Sequence, residues 1–285
     1  MRPFLCVWIL ALFAFSPGRA ASLCLHQDRS DPLDIAISGE LEGLAPGQIG
    51  YLWAKELRTL PGKTLVSDNR YFKGKNRLTV IPLEELWAAL PRRSGTDTLL
   101  ASCADGYASV YGKDFLEKYR PFLVIAINGL PLDKVTENGA VFDGGPYIID
   151  VSESLAPGVS VFLDIGHKEP WGVTSLAVVA QSVYFASLYP AKTTPSSDPA
   201  VDQGRSIWIN SCNSCHQGPD QHIGGNKSGI PFAVVQAQAL YNQSYFRQYV
   251  RDPQKIASGS KMEPHPHYTD AHFDALTAFL RSIKL

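Results

Sequence analysis

Cys212-Asn213-Ser214-Cys215-His216 decides how the last third of this 285-residue chain is read. Two thiols three positions apart, followed at once by an imidazole, are the attachment signature of a c-type haem. The thiols reach the two vinyl groups of one porphyrin as thioethers, and the next residue sets its ring under the iron as proximal ligand. Two other chemistries use Cys-x-x-Cys. A dithiol redox pair sits in a βαβ surrounding, which the neighbouring sequence lacks. A zinc site needs further ligands; no cysteine lies downstream, but His265 and His267 could serve.

The iron's sixth ligand is sought outside the motif. Apart from the initiator, Met262 is the only methionine of the chain. It stands in Ser258-Gly259-Ser260-Lys261-Met262-Glu263-Pro264, a polar loop that offers a core filler little to pack on. A thioether bound to iron accounts for it better, and His/Met ligation raises the reduction potential. His265 and His267, three and five residues further on, compete for the same position.

Helical patterns flank the motif. Residues 202–211 read as a short helix, with Ile207 and Trp208 apolar and Gly204 on a neighbouring face. In residues 270–283, Phe273, Leu276, Phe279, Leu280 and Ile283 recur at three- and four-residue steps and make one apolar stripe. Thr269 is placed to cap that helix. From about residue 199 to 285 the chain resembles a class I cytochrome c. The resemblance implies an all-α fold with one covalent haem c on Cys212 and Cys215, ligated by His216 and Met262. It also implies that Gly204 lets the last helix cross closely at Phe279. Pro231, in Gly229-Ile230-Pro231, would offer its backbone carbonyl to the imidazole and fix the ring. The chain departs from the family at Glu263, where a proline is usual, and Pro264 comes one residue late. Gly224-Gly225-Asn226-Lys227-Ser228-Gly229 lacks the spacing of a phosphate loop and reads as a flexible loop beside the haem.

The start of the chain points to export. Arg2 is a short basic region, residues 4–15 are a continuous apolar run, and Gly18-Arg19-Ala20 leaves small residues at the cleavage positions. This is the pattern of a signal peptide, with cleavage expected after Ala20. The run is short for a membrane span; an uncleaved anchor is the alternative. A periplasmic location follows. Cleavage removes two of the 26 basic residues, none of the 27 acidic ones and Cys6, leaving a net charge of −3 and four cysteines. Near-neutral charge argues against nucleic acid as a partner, and no later run is pure enough to anchor the chain in a membrane. Cys24 and Cys103 are the two thiols outside the motif, and an oxidising compartment could join them.

Residues 21–189 have the size of one domain, and the polar, proline-rich residues 190–199 read as a linker to residues 200–285. Strands are expected at residues 34–38, 122–127, 147–151 and 159–165, with helices at 51–60 and 82–90. Residues 173–188 read as buried strand or helix. The mixture suggests an α+β domain. Ile81-Pro82-Leu83-Glu84-Glu85-Leu86, Ala104-Asp105-Gly106-Tyr107, Asn128-Gly129-Leu130-Pro131-Leu132, Gly144-Gly145-Pro146-Tyr147 and Trp171-Gly172-Val173 follow in that order. They resemble the sulfite-oxidase-type molybdopterin-binding fold over about residues 33–183. Members that bind molybdenum use an early cysteine thiolate. Here that region reads Thr64-Leu65-Val66-Ser67-Asp68-Asn69-Arg70-Tyr71-Phe72, without cysteine. A hydroxyl is a harder donor than a thiolate, so the domain is expected to carry no molybdenum. Lys55, Arg58, Lys63, Arg70, Lys73, Lys75 and Arg77 form a basic run, read first as a solvated face and otherwise as a grip for a phosphate or an acidic partner.

The expected whole is two domains, a sulfite-oxidase-like α+β domain followed by an all-α cytochrome c domain. It would be an exported electron carrier with a redox protein partner rather than a self-sufficient enzyme. A molybdenum oxidoreductase with a built-in electron acceptor and a haem-based sensor are the alternatives.

Overall fold

A computed structural model describes residues 22–67, 74–137, 140–141, 145–151, 165–189 and 198–285. The expected signal peptide, Arg70 and Lys73 of the basic run, and most of the segments at 159–165 and 190–199 lie outside these residues.

The chain is a mixed α and β structure. Its elements run β1 (Ile35–Gly39), β2 (Gly50–Leu52), α1 (Ala54–Leu57), β3 (Lys63–Ser67), β4 (Asn76–Pro82), α2 (Leu83–Ala89), β5 (Thr98–Cys103), β6 (Ala108–Gly112), α3 (Lys113–Tyr119), β7 (Phe122–Ile127), β8 (Thr136–Glu137), β9 (Ala140–Val141), β10 (Ile148–Asp150) and β11 (Val173–Val179). Only helices follow among the described residues: α4 (Gln181–Tyr184), α5 (Pro199–Asn210), α6 (Phe232–Tyr241), α7 (Gln243–Arg251), α8 (Pro253–Ile256) and α9 (Asp270–Ser282). The expected helix at 51–60 shrinks to α1, because Tyr51 and Leu52 pair with Ala36 and Ile35 as an edge strand. Residues 173–188 divide into β11, α4 and a 3₁₀ turn.

Two sheets account for most of the strands. One has the order β2-β1-β11-β5-β6, with β1 and β11 parallel and the other neighbours antiparallel; the second is antiparallel in the order β10-β7-β4-β3. Side chains alternate across a strand, and here both faces of each sheet are covered. From the second sheet, Ile81, Leu123 and Ile149 enter the main core while Leu78, Phe122, Val124 and Ile148 enter a smaller one. That double burial explains the unbroken apolar run of β7.

The five-stranded sheet is the one that positions the site. Its inner face sends Ile35, Ile37, Leu99, Tyr111, Leu176 and Val178 into the main core under α2. Its outer face sends Leu100, Val110, Ala177 and Val179 into the cluster built by the helices, with Trp208, Phe273 and Phe279. The helical half is thus laid on the sheet, and the two share one core.

Within the helical half, α5 begins one turn earlier than the sequence suggested. Pro199 takes the first helical position, where its missing N–H is no loss, and the Asp198 carboxylate caps the helix by accepting from the Ala200 amide at 2.9 Å. Helix α9 carries the expected Thr269 cap, and His272 closes it as a capping box. The two helices cross at Gly204. A Cβ there would collide with the Ala275 carbonyl and sit 2.7 Å from Phe279 Cβ, so only glycine permits this approach.

Candidate functional site

Helix α5 ends at Ser211, whose backbone leaves helical geometry, and the chain enters a 3₁₀ turn over Cys212–Ser214. The Cys215 and His216 amides donate back to the Cys212 carbonyl at 3.2 and 2.9 Å. Five consecutive residues are therefore wound so that two thiols and an imidazole share one turn. Neither thiol is in a disulfide, and both are half-buried. Burial pushes the Cys215 thiol up to about 11.

The His216 ring is anchored on one side. Its Nδ1 shares a 2.9 Å hydrogen bond with the Ser228 hydroxyl. Burial holds the imidazole below its ordinary pKa, with a backbone bond at Ile230 opposing and the neighbouring His265 adding to the depression. A neutral ring with one nitrogen tied and the other available is what a metal ligand requires. The Pro231 carbonyl accepts from the Val234 and Val235 amides at the start of α6. Ser228 is the residue that bonds the ring, and a serine three residues before a proline gave no sequence signal.

The Gly224–Gly229 segment is a tight joint rather than a flexible loop. A Cβ at Gly224 would collide with the Asn213 side chain, and one at Gly225 with the Ser214 carbonyl. Amides of Gly225 and Ser228 donate to the Asn213 and Cys215 carbonyls at 2.8 and 3.0 Å. The segment splints the thiol-bearing turn.

Met262 is half-buried against the helical core. Its backbone is held by the Ser260 hydroxyl, which accepts from its amide at 3.2 Å, and by Gln254, whose side-chain amide donates to its carbonyl at 2.8 Å. His265 is buried, with its amide on the Val250 carbonyl, while His267 is exposed. Among the described residues no three His, Cys, Asp or Glu side chains gather to hold a bare metal ion, so Cys212, Cys215, His265 and His267 do not make a zinc site. The donor set would fit a haem: two thiols outside any disulfide on one turn, an imidazole beside them, and a thioether on a second loop of the same core.

The strand half reaches this site through the Asp105-Gly106-Tyr107 hairpin. The Gly106 carbonyl accepts from the Asn226 amide at 2.9 Å, and Asp105 pairs with Lys227 at 2.6 Å. A cleft of about 510 Å³ lies along the joint, lined by Cys103, Asp105, Gly106, Gln217 and Gly225 among others. Cys103 is buried and free, Cys24 is exposed and free, and no disulfide joins them. Burial, with Asp105 adding and Lys227 opposing, pushes the Cys103 thiol up to about 12. Ser67 ends the edge strand β3, on the other sheet from Cys103.

No protein-family model matches the chain. It is 27% identical over 99 residues to cytochrome c oxidase subunit 2 of Alkalihalophilus pseudofirmus and 27% identical over 109 residues to that of Bacillus sp. strain PS3. Each match covers 33% of this chain and 29% of the relative, so the chain spans under a third of the relatives' length. Among solved structures, the sulfane dehydrogenase SoxCD from Paracoccus pantotrophus is similar at 16% identity and a TM-score of 0.35, covering 52% of this chain and 38% of that one. A similarity of that size does not establish a common fold. Among the described residues no helix is long and apolar enough to cross a membrane.

Proposed function

We propose that this protein is an exported electron carrier with one covalent haem c. Cys212 and Cys215 would fix the porphyrin, and His216 and Met262 would ligate the iron, which cycles between ferric and ferrous states. The observation that carries the reading is the turn itself: two thiols outside any disulfide and an imidazole whose Nδ1 is tied to Ser228. That bond orients the ring and leaves Nε2 for a metal. The partial match to chains named as cytochrome c oxidase subunits supports a redox role at the level of electron transfer. The helical half, with its Gly204 crossing, would be the cytochrome c domain, and the strand half a sulfite-oxidase-like domain. Without an early thiolate, the strand half would act through its contacts rather than through molybdenum. A redox protein would be the partner, and the periplasm the place of work.

The double variant Cys212→Ala, Cys215→Ala should lose all haem stain on a denaturing gel. Wild-type protein without covalent haem ends this reading. Met262→Ala should abolish the weak near-infrared sulfur-to-iron band of the oxidised protein and lower its potential. An unchanged spectrum there moves the sixth ligand to His265 or His267. Stoichiometric molybdenum in the purified protein would make it an oxidoreductase with its acceptor built in.

A further inference from the structure

We propose that Tyr107 and His167, both from the strand half, brace the loop bearing His216 against the loop bearing Met262 and thereby set how firmly the methionine holds the iron. The inference rests on the haem reading above.

Tyr107 sits at the turn into β6, and its hydroxyl shares a 2.9 Å hydrogen bond with His167 Nδ1. On one side β6, which Tyr107 leads into, packs against the turn that holds Ser214, the residue between the motif's two cysteines, and Ser214 lies close enough to act on the phenol. On the other side the His167 ring stacks on His265, centroids 5.4 Å apart and planes 18° from parallel. His265 lies three residues beyond Met262. Ser214, Tyr107, His167 and His265 thus form a continuous bridge between the two ligand loops, and its two middle members come from outside the helical half.

The bridge is itself clamped. The Ser109 hydroxyl donates to the His167 carbonyl at 2.6 Å. The next residue, Lys168, is fully buried and donates to the Val110 carbonyl at 2.6 Å and to Asn210 Oδ1, at the end of α5, at 2.9 Å. Gly106 and Gly225 face each other so closely that a side chain on either would strike the opposite segment. Tyr268 closes the far end, its hydroxyl donating to Ser211 Oγ at 3.0 Å beside the motif. Buried polar networks of this kind hold one arrangement because any other leaves groups without partners. Tyr107 and His167 are positioning residues: they act through Ser214 and His265.

Cyanide binds the ferric protein only when Met262 leaves the iron, so its binding rate reads the strength of that bond. Tyr107→Phe removes one oxygen and keeps the ring. It should speed cyanide binding about tenfold, the weight of one buried hydrogen bond. His167→Ala, which removes both the hydrogen-bond partner of Tyr107 and the stack on His265, should speed it further and weaken the near-infrared band. Should His167→Ala fail to fold, Tyr107→Phe decides alone. If Tyr107→Phe carries covalent haem, keeps its helix content and binds cyanide at the wild-type rate, the brace is refuted while the haem reading stands. If the wild type carries no covalent haem, both fall.

Discussion

The helical half and the strand half supply the site in opposite ways. The helical half delivers its groups from adjacent positions: Cys212, Cys215 and His216 are set by one turn at the end of one helix. The strand half delivers Tyr107 and His167 from positions sixty residues apart, joined only when β6 and the turn at Ile165–Lys168 come together. Groups placed by local winding are robust to changes elsewhere. Groups placed by tertiary packing depend on every element between them. The two halves should accordingly respond differently to substitution.

The largest effect on stability is expected in the helical half. Gly204→Val puts a branched side chain into the Ala275 carbonyl and Phe279, and should cost about 3 kcal/mol or more, because overpacking against backbone has no soft escape. Thermal unfolding measures it. A cost below about 1 kcal/mol would mean that α5 and α9 slide apart freely, and the contrast between rigid and dependent halves would lose its ground.

A smaller effect belongs to the strand half. Asp34 is buried, which alone raises its pKa, but hydrogen bonds from the amides of Ala54, Ser30 and Asp31 and from the Ser30 hydroxyl bring it below the ordinary carboxylate value. A carboxylate that ties β1 to the start of α1 in this way stabilises the fold above its unfolded pKa. That contribution is lost as pH falls through the lower, folded value. Asp34→Asn should cost about 2 kcal/mol at neutral pH, the scale of hydrogen bonds to a charged group. It should also lose less stability on acidification than the wild type. Equal acid sensitivity in urea titrations of the two proteins would contradict this.

The smallest effect is expected at the joint. Asp105 and Lys227 are both about half exposed, and solvent screens such a pair, so Asp105→Asn should cost less than about 1 kcal/mol. A larger loss in thermal unfolding would show that the hairpin is held by charge rather than by the Gly106–Gly225 approach, and would sharpen where the two halves are joined.

What the sequence made legible follows the same division. The motif, the Phe273–Leu280 stripe, the Thr269 cap and the Gly204 crossing are local or periodic signals, and the structure shows each helix close to its expected span. Strands β1, β7 and β10 were readable from β-branched runs. His167 carried no signal, since a histidine beside Lys168 and Glu169 looks like any surface residue until a sheet buries it. Ser228 and the packed glycines 224 and 225 were missed for a related reason. Glycine suggests freedom in a sequence, and only the partner segment shows that it serves a close approach instead.

The shared core has a consequence for inheritance. Leu100, Val110, Ala177 and Val179 form a wall against which Ile207, Trp208 and Phe279 are finished. A helical segment that relies on borrowed wall cannot be cut out and spliced to another carrier without exposing that surface, nor can the sheet be kept alone. Substitutions along the seam between the two segments should therefore be accepted in pairs.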